Sequence, residues 1–110
     1  MATQKEKVDQ LKNQQRRPSG PGALLEDFLE STGMSQQEAA RRMKVSRQTV
    51  NELINDRRYL TAEMANRLAI LCGDNGPEIW IAMQQQRDMW DALHVDKSAF
   101  KDVEPYLIAA

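Results

Sequence analysis

The sequence predicts an all-α fold: five helices preceded by a flexible, polar and basic N-terminal arm and followed by a short C-terminal extension. Apolar residues recur at helical spacing from Pro21 to His94, and helix-capping residues precede most of the apolar segments. No alternating pattern is long enough for a β-strand. A chain of 110 residues with 41% hydrophobic residues forms one small domain. We therefore expect an arm over 1–20, a helical domain over 21–94 and an extension over 95–110.

Composition excludes several other classes of protein. No apolar run approaches the roughly 18 residues that a membrane-spanning helix requires, so no membrane partner is expected. The N-terminus has no apolar region of the kind found in secretory signals. Cys72 is the only cysteine, which rules out an internal disulfide and fits a reducing compartment. We therefore expect a soluble, cytoplasmic protein.

Residues 1–20 are dominated by glutamine, lysine and arginine and end in "RPSG". Five basic and two acidic residues give this segment a net charge of +3. Its apolar residues Val8 and Leu11 are too few to form a core. We expect a mobile arm with at most a nascent helix.

The first two predicted helices are marked by an apolar stripe and by a cap. The first spans roughly 22–32 and stops at Gly33, because glycine readily adopts the left-handed conformation of a helix end. The second starts at Ser35 in "SQQE", where Ser35 and Glu38 form a capping box, and continues to Met43. The stripe of the first helix consists of Leu24, Leu25, Phe28 and Leu29.

Each of the other three helices has a start signal. Ser46 is the N-cap of the third, "SRQTVNELINDRR", and Thr61 caps the fourth, which stops at Gly73. The fifth follows a cap within 74–76 and has Pro77 in its first turn, before "EIWIAMQQQRDMWDALH". A short helix after the serine of "DKSAF" is the last element expected.

The second and third helices are joined by only two residues, Lys44 and Val45. Two short helices that meet across such a turn need a small residue at their contact, and Ala40 is suitably placed. This arrangement predicts a helix-turn-helix, in which the second helix enters the DNA major groove. The apolar residues that would pin the pair to the core are Ala39, Met43, Val45, Val50 and Leu53.

The first turn of the third helix carries side chains suited to reading base edges. Arg47 can donate two hydrogen bonds to guanine, Gln48 can pair with adenine, and the Thr49 methyl can touch a thymine methyl. Asn51 and Glu52 are further candidates.

Phosphate contacts are predicted for Gln36, Arg41, Arg57 and Arg58. Positions 41–58 have a local net charge of +4, whereas the whole chain has −1. The alternative is a solvated polar face on an ordinary helical domain. The two-residue turn, the small residue, the apolar skeleton and the clustered charge together favour double-stranded DNA as the partner.

The last predicted helix has more apolar residues than its core-facing side alone would need. Trp80 is expected to pack in the core. Met83, Trp90 and Leu93 are expected to form a dimer contact. A symmetric dimer would place two recognition helices about 34 Å apart, one turn of DNA.

Catalytic chemistry is not expected. His94 has no cysteine or histidine partner at metal-ligand spacing, and Cys72 has no nearby histidine base. The chain also lacks a glycine-rich phosphate loop. We therefore predict no enzyme activity, no metal and no cofactor.

The sequence also resembles the HigA-type antitoxins of the Cro/cI-like (XRE) helix-turn-helix superfamily. The likeness rests on the "RP…PG" lead into the first helix, the passage "RRYLTAEMANRLA" and the proline-led "PEIW" helix. The resemblance implies a homodimer on a palindromic operator, repression of its own operon, and neutralisation of a small RelE-like toxin that cleaves messenger RNA. It places the DNA-reading residues at Ser46, Arg47, Gln48, Thr49 and Asn51, with Gln36 and Arg57 near phosphates.

Two positions depart from the family pattern. Lys44 stands where glycine is usual, and a left-handed lysine costs about 1 kcal/mol, which a phosphate contact could offset. Asn55 is followed by Asp56 instead of glycine, and a carboxylate there is unfavourable near DNA.

Three functions remain open at this stage. An antitoxin is favoured, and the acidic segment 74–110, with a net charge of −4, could complement a basic toxin. The first alternative is a solitary repressor of the same fold without a toxin. The second is an interaction module whose basic face binds an acidic protein.

Overall fold

The computed structural model describes residues 3–73 and 75–106, and its regular elements there are all helical. This confirms the all-α class. No helix in these two ranges is long and apolar enough to cross a membrane. The elements are α1 (Gln4–Asn13), α2 (Pro21–Thr32), α3 (Gln36–Met43), α4 (Arg47–Ile54), α5 (Ala62–Leu71), α6 (Glu78–His94) and the 3-10 helix Lys97–Phe100.

The predicted count of five helices is wrong, because α1 adds a sixth within the predicted arm. A capping box starts α1: Thr3 Oγ1 accepts from Glu6 N at 3.1 Å, and Glu6 Oε2 accepts from Thr3 N at 3.3 Å. Leu11 is buried on the side facing α6. The apolar residues of the arm could not form a core alone, but α6 supplies the other half of the contact.

Two further contacts hold the segment after α1 along α6. Trp90 Nε1 donates to the Gln14 carbonyl at 2.8 Å. Arg17 forms a two-pronged ion pair with Asp91, at 2.8 and 2.6 Å, and this hydrogen bonding lowers the pKa of the Asp91 carboxyl. A lowered pKa means that the pair stabilises the fold at neutral pH and loses its effect as the pH falls through that pKa.

The main core lies between α2, α3, α4, α5 and the start of α6. Trp80 is only 3% exposed, which confirms its predicted place in this core. The other buried members are Leu25, Leu29, Ala39, Ala40, Met43, Val50, Leu53, Leu60, Ala65, Leu68 and Ala69.

The start of α6 differs slightly from expectation, whereas its end at His94 is as predicted. Pro77 is the N-cap, so the helix begins one residue later than predicted. Asp74, one of the predicted cap candidates, lies outside the described residues. The expected short C-terminal helix is a 3-10 helix capped by Asp96, whose carboxylate accepts from Ser98 N at 2.9 Å. The predicted extension 95–110 is described as far as residue 106.

Candidate nucleic-acid interface

The turn between α3 and α4 has the two-residue geometry that the sequence predicted. Lys44 adopts the left-handed conformation at φ 59° and ψ 43°, and its amide donates to the Arg41 carbonyl at 3.3 Å. Val45 N donates to the Ala40 carbonyl at 3.0 Å. A helix end closed in this way stops α3 and lets the chain turn into α4. The Lys44 side chain is exposed beside the turn.

The helix pair is pinned to the core as expected, because Ala39, Ala40 and Val50 are all buried. One contact was not predicted. Arg67 of α5 donates from Nη1 to the Met43 carbonyl at 2.6 Å, which satisfies the C-terminal end of α3. Sequence reasoning missed Arg67 because its local signal is an ordinary helical pair with Glu63, four residues earlier.

The N-terminal half of α4 and its cap present four of the five predicted base-reading residues to solvent, Ser46 among them. Arg47, Gln48 and Asn51 are exposed. Ser46 Oγ accepts from Thr49 N at 3.0 Å and also bonds the Thr49 hydroxyl at 2.9 Å. Thr49 is only 9% exposed. Ser46 and Thr49 therefore build the start of α4: Thr49 is buried, and the exposed Ser46 uses its hydroxyl as the cap. The other three side chains are exposed and are not needed for the cap.

Side chains from the two helices meet on the same surface. Asn51 Nδ2 donates to Gln36 Oε1 at 3.4 Å. Asn51 lies in α4 and Gln36 begins α3, so the contact joins one predicted base reader to one predicted phosphate contact. The two amides therefore lie side by side on the exposed surface.

The cations of this surface fall into two groups. Arg41 lies 3.9 Å from Glu38, and Arg58 pairs with Glu52 at 3.1 Å. Glu52, the further candidate for base reading, is thus engaged with an arginine. Within residues 3–73 and 75–106, the exposed cations that form no salt bridge on this surface are Lys44, Arg47 and Arg57.

Asp56, the unfavourable acidic residue of the sequence analysis, turns away to α6. Its backbone is left-handed at φ 56°, and its carboxylate accepts from Arg87 Nη1 at 2.7 Å. The fold therefore gives this carboxylate a partner beside the end of α4.

The residues predicted for the dimer contact lie on α6 and are half-buried in the single chain. Trp90 stacks on His94, with ring centroids 3.9 Å apart. Trp90 therefore has intrachain contacts as well as an open face. Met83 and Leu93 lie one to two turns from it on the same helix. Among the described residues, no three His, Cys, Asp or Glu side chains come together as metal ligands would.

Comparison with known proteins bears directly on this surface. A helix-turn-helix family profile matches residues 25–75, which include α3 and α4. Antitoxin HigA-1 of Vibrio cholerae is 36% identical over 100 residues, covering 90% of this chain and 93% of that protein. This chain is a member of the HigA antitoxin family. The expected resemblance is confirmed.

The chain is also similar to a solved HigA antitoxin and to a transcriptional regulator. Antitoxin HigA of Pseudomonas aeruginosa, solved with the higBA promoter, has a TM-score of 0.68 at 31% identity, covering 83% of this chain and all of that one. The uncharacterized HTH-type transcriptional regulator YbaQ of Escherichia coli is 38% identical over 82 residues, covering 74% of this chain and 72% of that protein. The family is one of DNA-binding antitoxins and transcription regulators of the XRE helix-turn-helix class.

Proposed function

We propose that this HigA-type protein binds a palindromic operator as a homodimer, represses its own operon and neutralises a RelE-like, messenger-RNA-cleaving toxin. The DNA-binding part of the proposal rests on three exposed side chains in the first two turns of α4, those of Arg47, Gln48 and Asn51. The solved Pseudomonas aeruginosa relative was crystallised with promoter DNA, which supports the same ligand for this chain.

The proposed recognition divides the surface into two roles. Arg47 and Gln48 read base edges in the major groove, with Asn51 beside them. Lys44 and Arg57 neutralise phosphates, and Arg41 and Arg58, which also pair with Glu38 and Glu52, do so more weakly. The uncharged Gln36 amide donates a hydrogen bond to a phosphate. Ser46 and Thr49, which the resemblance placed among the readers, act here mainly through the N-cap that aims the helix.

A homodimer would present two such surfaces to a palindrome. We propose that α6 supplies the contact through Met83, Trp90 and Leu93, with the recognition helices about 34 Å apart. The half-burial of these side chains in the single chain supports this role, since each keeps surface available to a second copy.

Replacing Arg47 with alanine is expected to weaken operator binding by about 1–3 kcal/mol and to relax the preference at one base pair. Arg47 is exposed as the first residue of α4, and alanine removes the guanidinium group that would donate two hydrogen bonds to guanine. The measurement is fluorescence anisotropy with DNA from upstream of the gene and single base-pair variants of it. Arg16→Ala, an exposed arginine outside the surface, is the control. An equal loss on all DNA sequences would make Arg47 a phosphate contact.

Replacing Arg57 with alanine is expected to lower the slope of log affinity against log salt by about 1, because one fewer phosphate is neutralised. Arg42→Ala is the matched control, since Arg42 pairs with Glu38 at 3.3 Å and is not assigned to DNA. A slope that stays at the wild-type value would exclude a phosphate role for Arg57.

The toxin part rests on family membership and on charge. The segment 74–110 carries seven acidic and three basic residues, which suits a basic partner. Co-expression with the neighbouring reading frame should yield a complex and restore growth. If this protein elutes alone, the antitoxin role fails while the repressor role stands.

A solitary regulator without a toxin is the second candidate. It is favoured by the similarity to YbaQ, whose name describes a transcriptional regulator only. Operator binding without any toxin complex would be the result that selects this candidate.

A further inference from the structure

The residue that follows the recognition helix is joined to α6 by an ion pair. Asp56 comes directly after the C-cap Asn55 and adopts a left-handed conformation that lets the carboxylate point to α6. Arg87 Nη1 donates to Asp56 Oδ2 at 2.7 Å, across 31 residues of sequence. The pair therefore connects the end of α4 to the middle of α6.

The surroundings make this contact more than a solvated surface pair. The Arg87 side chain is only 15% exposed, and its Nε is buried without a described hydrogen-bond partner. Gly20 lies over the pair: a Cβ at this position would be 2.9 Å from Arg87 Cδ and 3.2 Å from Asp56 Oδ1. The segment that leads into α2 thus closes over the arginine because it carries glycine there.

The charged residues next to Asp56 explain why its pairing with Arg87 matters for DNA binding. Asp56 precedes Arg57 and Arg58, both proposed to contact phosphates, and an unpaired carboxylate would oppose them. Arg87 is only 15% exposed, so the loss of its hydrogen-bonded carboxylate would in turn be unfavourable. Asp91 also acts electrostatically on Arg87, and Arg17 on Asp56, but in the described residues the only direct ion pair that Asp56 or Arg87 forms is the one between them. Each partner therefore stabilises the charge of the other in the folded protein.

We propose that Arg87 is a positioning residue for operator binding, which it assists by neutralising Asp56 and drawing it away from the DNA-facing end of α4. The inference rests on the proposed DNA-binding function. Arg87 itself touches no DNA in this scheme. It acts through Asp56, from the helix that also carries the proposed dimer residues Met83 and Trp90.

The substitution Asp56→Asn tests the negative charge of the side chain separately from the left-handed backbone conformation at this position. Asparagine tolerates the left-handed conformation about as well as aspartate does, so Asp56→Asn removes the carboxylate and keeps the turn. An amide oxygen can still accept a hydrogen bond from Arg87. The chain therefore allows a four-protein comparison: wild type, Arg87→Gln, Asp56→Asn and the double variant.

Operator affinity of the four proteins is measured at about 50 mM and about 200 mM salt, a range over which phosphate-driven binding changes strongly. Arg87→Gln should bind about three- to tenfold more weakly at low salt, and its deficit should shrink at high salt because repulsion by the freed carboxylate is screened. Asp56→Asn should bind at least as tightly as wild type. The double variant should recover to within about twofold of wild type, since the carboxylate that caused the loss is gone.

A purely structural role predicts the opposite pattern. In that case Asp56→Asn would weaken binding, the double variant would not recover, and the deficit of Arg87→Gln would be independent of salt; any of these results overturns the proposal. Circular dichroism melting of all four proteins checks folding, and Arg87→Lys, which keeps the charge, should retain affinity if Arg87→Gln proves unstable. Wild-type protein that binds no operator would overturn the proposed function and this inference together, whereas tight wild-type binding with no rescue overturns the inference alone.

Discussion

Replacing Trp80 with alanine is expected to destabilise the domain by about 3–5 kcal/mol. Trp80 is the one buried residue of α6, all of whose residues are described, and is 3% exposed. It belongs to the main core, against which Leu24 and Phe28 pack. Alanine would leave a cavity at the point where α6 joins the core. Because a small domain is stable by only about 5–15 kcal/mol, such a loss is a large part of the total.

Urea unfolding followed by circular dichroism measures this change. Ile79→Ala is the matched control, because Ile79 precedes Trp80 on α6 but is 56% exposed, and surface changes stay within about 0.5 kcal/mol. A Trp80→Ala variant less than about 1 kcal/mol below wild type would mean that the indole is not tightly packed. Loss of α6 would also remove Arg87 from Asp56, so operator affinity should fall with stability.

Replacing Gly22 with alanine is expected to cost about 1–3 kcal/mol of stability and to weaken operator binding. A Cβ at Gly22 would collide with the backbone carbonyl of Leu53 and would lie 2.7 Å from that of Ile54. These carbonyls belong to the last turn of α4, so relief of the clash requires the recognition helix to move. Helix propensity alone predicts the reverse sign, a gain of about 0.8–1.0 kcal/mol for alanine.

Gly33→Ala separates backbone strain from this close approach. Gly33 ends α2 at φ 70° with open space around it, so alanine there should cost about 1 kcal/mol of stability and leave operator affinity unchanged. Thermal melting and anisotropy on both variants make the comparison. If Gly22→Ala melts at or above the wild-type temperature, α2 and α4 do not pack as closely as the structure shows, and the prediction is contradicted.

The sequence by itself determined the helix-turn-helix and its place in the chain. Ser35, Ser46 and Thr61 cap α3, α4 and α5 as predicted, and Lys44 closes the turn in the left-handed conformation. Only the Ser35 half of the predicted capping box is formed, because the Glu38 carboxylate pairs with Arg42 at 3.3 Å. These features depend on residues within three or four positions of one another. Caps, turn conformation and helical periodicity are local properties, so the local sequence suffices to predict them.

Only the tertiary structure decided which distant residues meet. The helix α1 packs against α6, and Trp90 donates a hydrogen bond to the Gln14 carbonyl across 76 residues of sequence. Arg87 donates to Asp56 across 31 residues. The local sequence of 1–20 predicts only a polar arm. The local sequence around Asp56 predicts only a carboxylate that is unfavourable near DNA. Packing brings together groups whose spacing in the chain carries no periodic signal, and burial then decides their charge and hydrogen bonding.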